Sequence, residues 1–143
     1  MLQFRYKCVI GIDLAASSRN PIGWALLKNK TAKTRLLYTD KEILENTLQN
    51  HPALIVIDAP LGLPKNGEFF RKTDKEMIRK GYRVLPPDFP AMKKLTLRAI
   101  RLNRLIEEKT YKAIEVHPTS TRKALQMPPK DWKAIQKILK TVG

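Results

Sequence analysis

"CVIGIDLAASSRNPIGWALL" (8–27) and "ALIVIDAPLGLP" (53–64) decide how this chain folds. Residues 7–14 read as a strand, rich in β-branched side chains and interrupted only by Asp13. Residues 53–58 form a shorter apolar run, the pattern of a strand buried on both faces, and it ends on Asp58. Strand alternation places Val9, Gly11 and Asp13 on one face and Ile10, Ile12 and Leu14 on the other. In the second run Leu54, Val56 and Asp58 share a face. If the two strands are neighbours, a spacing of ~4.8 Å brings both carboxylates within reach of one ion. Two unscreened carboxylates ~5 Å apart repel by about 3 kcal/mol at an effective dielectric of ~20. Such a pair persists when one member is protonated, a base is inserted or a cation sits between them. Hard oxygen ligands on a rigid scaffold suit Mg²⁺ or Mn²⁺. A metal pair ~3.5–4 Å apart activates water and stabilises the leaving oxygen in phosphodiester cleavage. The alternative for either aspartate alone is a turn cap accepting backbone N–H bonds.

Outward from these runs, "IGWALLK" (22–28) and "RLLYTD" (35–40) read as two further strands joined through the polar "KNKTAKT". Asp40 is placed to cap a short helix over 41–50, with Leu44 and Leu48 on one face. Prolines and glycines punctuate 60–90, within which "KTDKEMIRKG" looks helical and is closed by Gly81. The longest helical pattern is 91–109, with Met92, Leu95, Ala99, Leu102 and Ile106 on one face. "AIEVHP" (113–118) reads as a last strand stopped by Pro118, and Asp131 as the cap of a final helix over 132–141. A hairpin-linked strand triplet followed by βα units gives an α/β fold, a mixed sheet with helices on its faces.

Composition bounds the function. The 143 residues suffice for one domain with a real core, and at 43% hydrophobic the chain is not a disordered tail. One cysteine, Cys8, excludes an internal disulfide framework, and with two histidines it excludes a Cys/His zinc cluster. No apolar run approaches the ~20 residues of a membrane span, and "MLQFRYK" lacks the apolar core of a signal peptide, so no membrane partner and a cytoplasmic location are expected. Lys and Arg number 28 against 13 Asp and Glu, a formal net charge of +15, which points to a polyanionic partner, most simply nucleic acid. A basic surface of the kind found on thermophile or ribosome-associated proteins is the competing explanation.

Two more carboxylates stand out. Glu115 interrupts "AIEVHP", where a charge in a short core strand needs a partner, unless it faces solvent from an edge strand. Asp74 lies in the first turn of its helix, a place the helix dipole favours in any case, beside Arg71 and Lys72.

At these residues the chain resembles the family of RNase H-like nucleases catalogued as domain of unknown function 429. "GIDLAASSRNPIGWALL" resembles its opening strand, turn and second strand; "IVIDAPLGLP" its second aspartate block, followed by the Arg-x-x-Asp element "RKTD"; and "IEVHPTSTRKAL" its later Glu-Val-x-Pro block. The blocks span most of the chain in the expected order. "IDAPLGLP" and "EVHP" are fairly specific, whereas "GID" is shared by many ribonuclease H-like and actin-like proteins. The resemblance implies a single ribonuclease H-like domain over 1–143, with a five-stranded mixed sheet in which Asp13 and Asp58 occupy adjacent central strands. It further implies that the metal held by Asp13 and Asp58 is completed by Asp74 or Glu115. Longer relatives supply a further Asp from a C-terminal helix; here "DWKAIQKILKTVG" carries only Asp131, at its start. Either Asp74 or Glu115 substitutes, or the metal site is incomplete.

Nucleic acid would be held by basic groups on two segments. "KKLTLRAIRLNR" (93–104) carries five basic side chains and no acid, with Lys94, Arg98 and Arg101 at helical spacing opposite the Leu95/Leu102/Ile106 stripe. A merely solvated helix face is the alternative there. "FFRKTDKEMIRKGYRVLPP" (69–87) interleaves Arg71, Lys72, Arg79 and Arg83 with Phe69, Phe70 and Tyr82, a pattern suited to a single strand whose bases stack while its phosphates pair with Arg and Lys. Lys65 and Arg122 are placed to reach a phosphate near the metal. His117 is read as structural and Trp24 as core. The expectation is a Mg²⁺- or Mn²⁺-dependent nuclease acting on DNA or RNA, on single strands or branched structures, with a non-catalytic nucleic-acid-binding protein of the same fold as the alternative. An actin-like phosphotransferase, prompted by "GIDLAAS", is disfavoured because Ala15 stands where that phosphate loop needs glycine.

Overall fold

The computed structural model describes residues 7–142. Most of the stretch 1–7, on which the leader-peptide expectation rested, lies outside them. Five strands form one mixed sheet: β1 (Cys8–Asp13), β2 (Ile22–Lys28), β3 (Thr31–Leu37), β4 (Leu54–Ile57) and β5 (Ala113–Glu115), in the order β3-β2-β1-β4-β5. β2 pairs antiparallel with both β1 and β3, while β4 runs parallel to β1 and β5 parallel to β4. The helices are α1 (Asp40–Leu48), α2 (Lys72–Arg79), α3 (Pro90–Glu108), α4 (Pro118–Ala124) and α5 (Trp132–Val142). The sheet is thus the five-stranded, helix-flanked α/β arrangement the sequence led us to expect. None of the described helices is long and apolar enough to cross a membrane.

The period of two sorts the sheet residues onto unequal faces. Ile10, Ile12, Ile22, Trp24, Leu26, Ile55 and Ile57 are buried with Ile43 of α1 and Ala99, Leu102 and Ile106 of α3 in one core. The indole N–H of Trp24 donates to Thr47 Oγ1 of α1 at 3.1 Å, so its one polar atom is satisfied inside that core. The opposite face carries Val9, Gly11, Asp13, Gly23, Ala25, Leu27 and Val56, all half-buried or exposed. Small residues cluster there, and the face stays open.

Three local readings are corrected. β3 begins at Thr31, not 35, because Asn29 and Lys30 both take positive φ (51° and 63°) and close a two-residue hairpin turn. Its polar sequence reflects an edge strand exposed at every residue but Leu37. Thr39, not Asp40, caps α1, accepting from Glu42 N while the Glu42 carboxylate accepts from Thr39 N: a capping box. Pro118 opens a helix, α4, rather than only ending a strand, since a missing N–H is harmless in the first helical turn.

Candidate functional site

The parallel register pairs Val9 with Leu54 and Ile12 with Ile57, and Asp58 N donates to Ile12 O at 2.9 Å. One step further along both strands lie Asp13 and Asp58, side by side at the C-terminal ends of β1 and β4 and on the open face. The antiparallel register sets Gly23 across from Asp13. A Cβ at Gly23 would lie 3.2 Å from Asp13 Cβ and 3.8 Å from its Oδ2, so the missing side chain is what leaves Asp13 room. Asp13 is exposed and Asp58 half-buried. The Asp58 carboxyl is held above the usual carboxylate range, first by burial and then by the charge of Asp13, with a smaller push from Glu115; His117 and Arg122 pull the other way. The two carboxylates therefore feel each other, and Arg122 and the His117 ring stand nearby.

Around the pair lies an open cleft of about 740 Å³, floored by Gly11, Gly23, Ala25 and Val56 and walled by Thr119, Arg122 and Trp132. Arg122 stacks over the indole of Trp132 with its guanidinium carbon 5.4 Å from the ring centroid. His117, at the head of α4, is engaged through Nδ1 with the buried Ser120 hydroxyl, a structural bond within one turn.

Asp74 and Glu115 do not join the pair, which corrects both expectations. The register pairs Glu115 with Ile57, so its side chain leaves from the core-facing side, while Val116 follows on the side of Asp58. There Arg71 takes it up: Nη1 and Nη2 each reach a Glu115 oxygen at 2.7 Å. The same guanidinium holds Asp74 through Nε at 2.9 Å and Nη2 at 2.7 Å. Leu61 N also donates to Glu115 at 2.9 Å, fastening the loop that follows Asp58. Hydrogen bonds donated to Glu115, and then to Asp74, outweigh burial and raise the Arg71 pKa further. Arg71 thus ties α2, β5 and the loop after β4 together, its guanidinium engaged by two carboxylates.

Arg98 is a second correction. It is only 6% exposed, not part of a solvent face, and donates to Asp40 Oδ1, Ala15 O and Tyr38 O at 2.7–2.9 Å. It fixes the loop after β1 against α1 and α3. Burial raises the Asp40 pKa, but hydrogen bonds from Arg98 and Arg101 outweigh it and leave that carboxyl below its ordinary value. Lys94 and Arg101 line a separate cleft of about 480 Å³ with Ser17 and Ser18. Lys65, Lys72, Arg79 and Arg83 are exposed on the loop after β4, on α2 and on the α2–α3 connection.

The donor set bears on the expected metal. Among the described residues no group of three or more His, Cys, Asp or Glu side chains converges as a cation cage. Two adjacent carboxylates nevertheless fit Mg²⁺ or Mn²⁺ in an open site, since such ions are commonly held by one or two carboxylates with water and substrate phosphate filling the shell. Trp132 and Gly23 are the site residues that sequence reading missed. The register would have exposed Gly23; Trp132 sits at the start of a basic helix with no periodic signal to mark it.

No curated protein and no solved structure matches the chain. One family model does, described as "Protein of unknown function (DUF429)", over residues 11–133. That span takes in both aspartates, the Arg71 clamp and the start of α5, and by it the chain belongs to the DUF429 family.

Proposed function

We propose that this protein is a divalent-metal-dependent nuclease of ribonuclease H-like fold, hydrolysing phosphodiester bonds of DNA or RNA in the cytoplasm. The observation that carries the reading is the pair itself. Asp13 and Asp58 end neighbouring parallel strands on one open face, and Asp58 is pushed toward protonation by burial and by Asp13. That strain is relieved by a cation, and the excess of 28 basic over 13 acidic residues supports a polyanionic substrate. The strand order, with β2 alone reversed, supports the ribonuclease H-like assignment.

In this reading Asp13 and Asp58 hold Mg²⁺ or Mn²⁺, and Gly23 keeps the approach to Asp13 clear. What the ion supplies at such a pair is Lewis-acid activation of water and neutralisation of charge on the leaving oxygen. Arg122, whose charge already acts on Asp58, binds the phosphate beside the pair. Arg71 orients the loop after Asp58 and takes no part in chemistry.

The test is cleavage of labelled DNA and RNA oligonucleotides in Mg²⁺ or Mn²⁺. Asp13→Asn and Asp58→Asn are each expected to lose more than the ~100-fold typical of a lost outer-shell partner. Cleavage at wild-type rate by either variant removes that aspartate from the reaction. The second reading is a non-catalytic nucleic-acid-binding protein, favoured by the engagement of both Asp74 and Glu115 with Arg71. Salt-sensitive binding without turnover in either metal would establish it.

A further inference from the structure

The cleft beside the aspartates has a shape that phosphate chemistry alone does not require. Its floor is nearly bare backbone: Gly11 and Gly23 have no side chain, Ala25 has one methyl group, and all three lie on the open face of β1 and β2. Over that floor stands Trp132, 62% exposed, although its helix buries Ile135 three residues on. An indole left largely in water at the rim of a cleft, where the same helix has a core face, is an aromatic surface still open to a ligand. Arg122 covers the indole and is also close enough to act on Asp58, so one cation links the aromatic wall to the carboxylate pair. Leu36, on β3 beside Gly23, is 67% exposed and lines the same cleft.

Flat floor, aromatic wall and a cation between them and the aspartates match one ligand unit: an unpaired nucleobase whose own phosphate lies at Arg122. We infer that Trp132 and Arg122 form a base subsite that stacks one unpaired nucleobase over Gly11, Gly23 and Ala25 and so restricts the protein to unpaired nucleic acid. The inference rests on the nucleic-acid reading above and deepens it. At about 740 Å³ the cleft falls in the ~300–1,000 Å³ range of small-ligand pockets, room for one nucleotide. Within a duplex no base face is free for the indole, because each interior base is stacked between its neighbours.

Trp132 reports on this directly, since the other tryptophan, Trp24, is 3% exposed with its N–H bonded to Thr47. Wild-type protein in EDTA is titrated with oligothymidylate, or with the same strand paired to oligoadenylate, while tryptophan emission and the anisotropy of a labelled strand are followed. The expected result is quenching by the single strand only, a Trp132→Ala variant that binds it about tenfold more weakly, and a Trp132→Phe variant that keeps affinity but loses the quench. Ala25→Leu, which fills the floor, is expected to weaken single-strand binding as well. Equal quenching by duplex, or anisotropy-detected binding that leaves Trp132 emission and Trp132→Ala affinity unchanged, overturns the subsite. Cleavage assays on the same proteins and strands, with Mg²⁺ or Mn²⁺ in place of EDTA, separate the two readings: quenching without turnover removes the nuclease and leaves the subsite, and turnover without quenching does the reverse.

Discussion

Asp58 carries a repulsion that folding imposes. Its pKa is raised in the folded state, so between the ordinary carboxylate value and the raised one the folded chain binds more protons than the unfolded chain. Stability therefore falls as pH rises through that window, and above it the charged Asp58 destabilises the fold. Asp40 and Glu42 have the opposite sign. Their pKa values are lowered, and their contribution is lost as pH falls through them. Full repulsion of ~3 kcal/mol, cut by the exposure of Asp13, leaves about 1 kcal/mol, or ~3 °C for a chain of this size. Asp58→Asn in chelator is expected to melt about that much higher than wild type at pH 7, with the gain vanishing near pH 4. Mn²⁺ should then raise the melting temperature of the wild type alone. A variant less stable than wild type across that pH range would mean that Asp58 is held by bonds and not opposed by charge. This pair was legible in the sequence because period-two alternation and strand-end position are local properties. Glu115 was not: which face it takes depends on β5 pairing Ile57 with Glu115, and a shift of one residue in that register would reverse it.

At the scale of elements, one guanidinium joins α2, β5 and the loop after β4. The Asp74 side chain is 3% exposed and Glu115 34%, both compensated by Arg71 at 15%. Removing one partner of a buried ion pair strands the other, at a cost of roughly 3–5 kcal/mol. Arg71→Met is expected to lose that much in urea denaturation, and Arg71→Met with Asp74→Asn to recover part of it, because the amide retains the bond from the residue-71 N–H without a buried charge. A double variant no more stable than the single one would show that Arg71 acts through packing and not charge. The Arg-x-x-Asp spacing was visible in the sequence as a helix-start pattern, but its third member lies 44 residues from Arg71 and only the fold joins them. The same limit explains Arg98, which helical spacing assigned to the basic face expected to meet nucleic acid. Its three bonds to Asp40, Ala15 and Tyr38 are tertiary contacts, and they turn a nominally polar position into a buried one. Thr39, by contrast, carried a readable cap signal one residue before the Asp40 at which it was sought, and Pro118 carried a helix-start signal that was read as a strand stop.

For the whole molecule, what matters is how the net charge of +15 is deployed. Arg71 and Arg98 are committed internally, so the external field rests on exposed groups such as Lys65, Lys72, Arg79, Arg83 and Lys94. Phosphate contact and base stacking respond differently to salt, which separates their carriers. If about six phosphates are engaged, affinity for a single-stranded oligonucleotide should fall about 300-fold between 50 and 200 mM salt. Lys94→Ala should reduce the slope of log affinity against log salt by about 0.7 on a single strand, the share of one phosphate. Trp132→Ala should lower affinity by a similar factor at every salt concentration and leave that slope unchanged, because stacking releases no counterion. Equilibrium anisotropy titrations over a salt series measure both quantities. Parallel lines for wild type and Lys94→Ala would place the nucleic acid away from the cleft lined by Lys94 and Arg101. A flat line for the wild type would mean that the basic surface serves something other than a phosphate backbone.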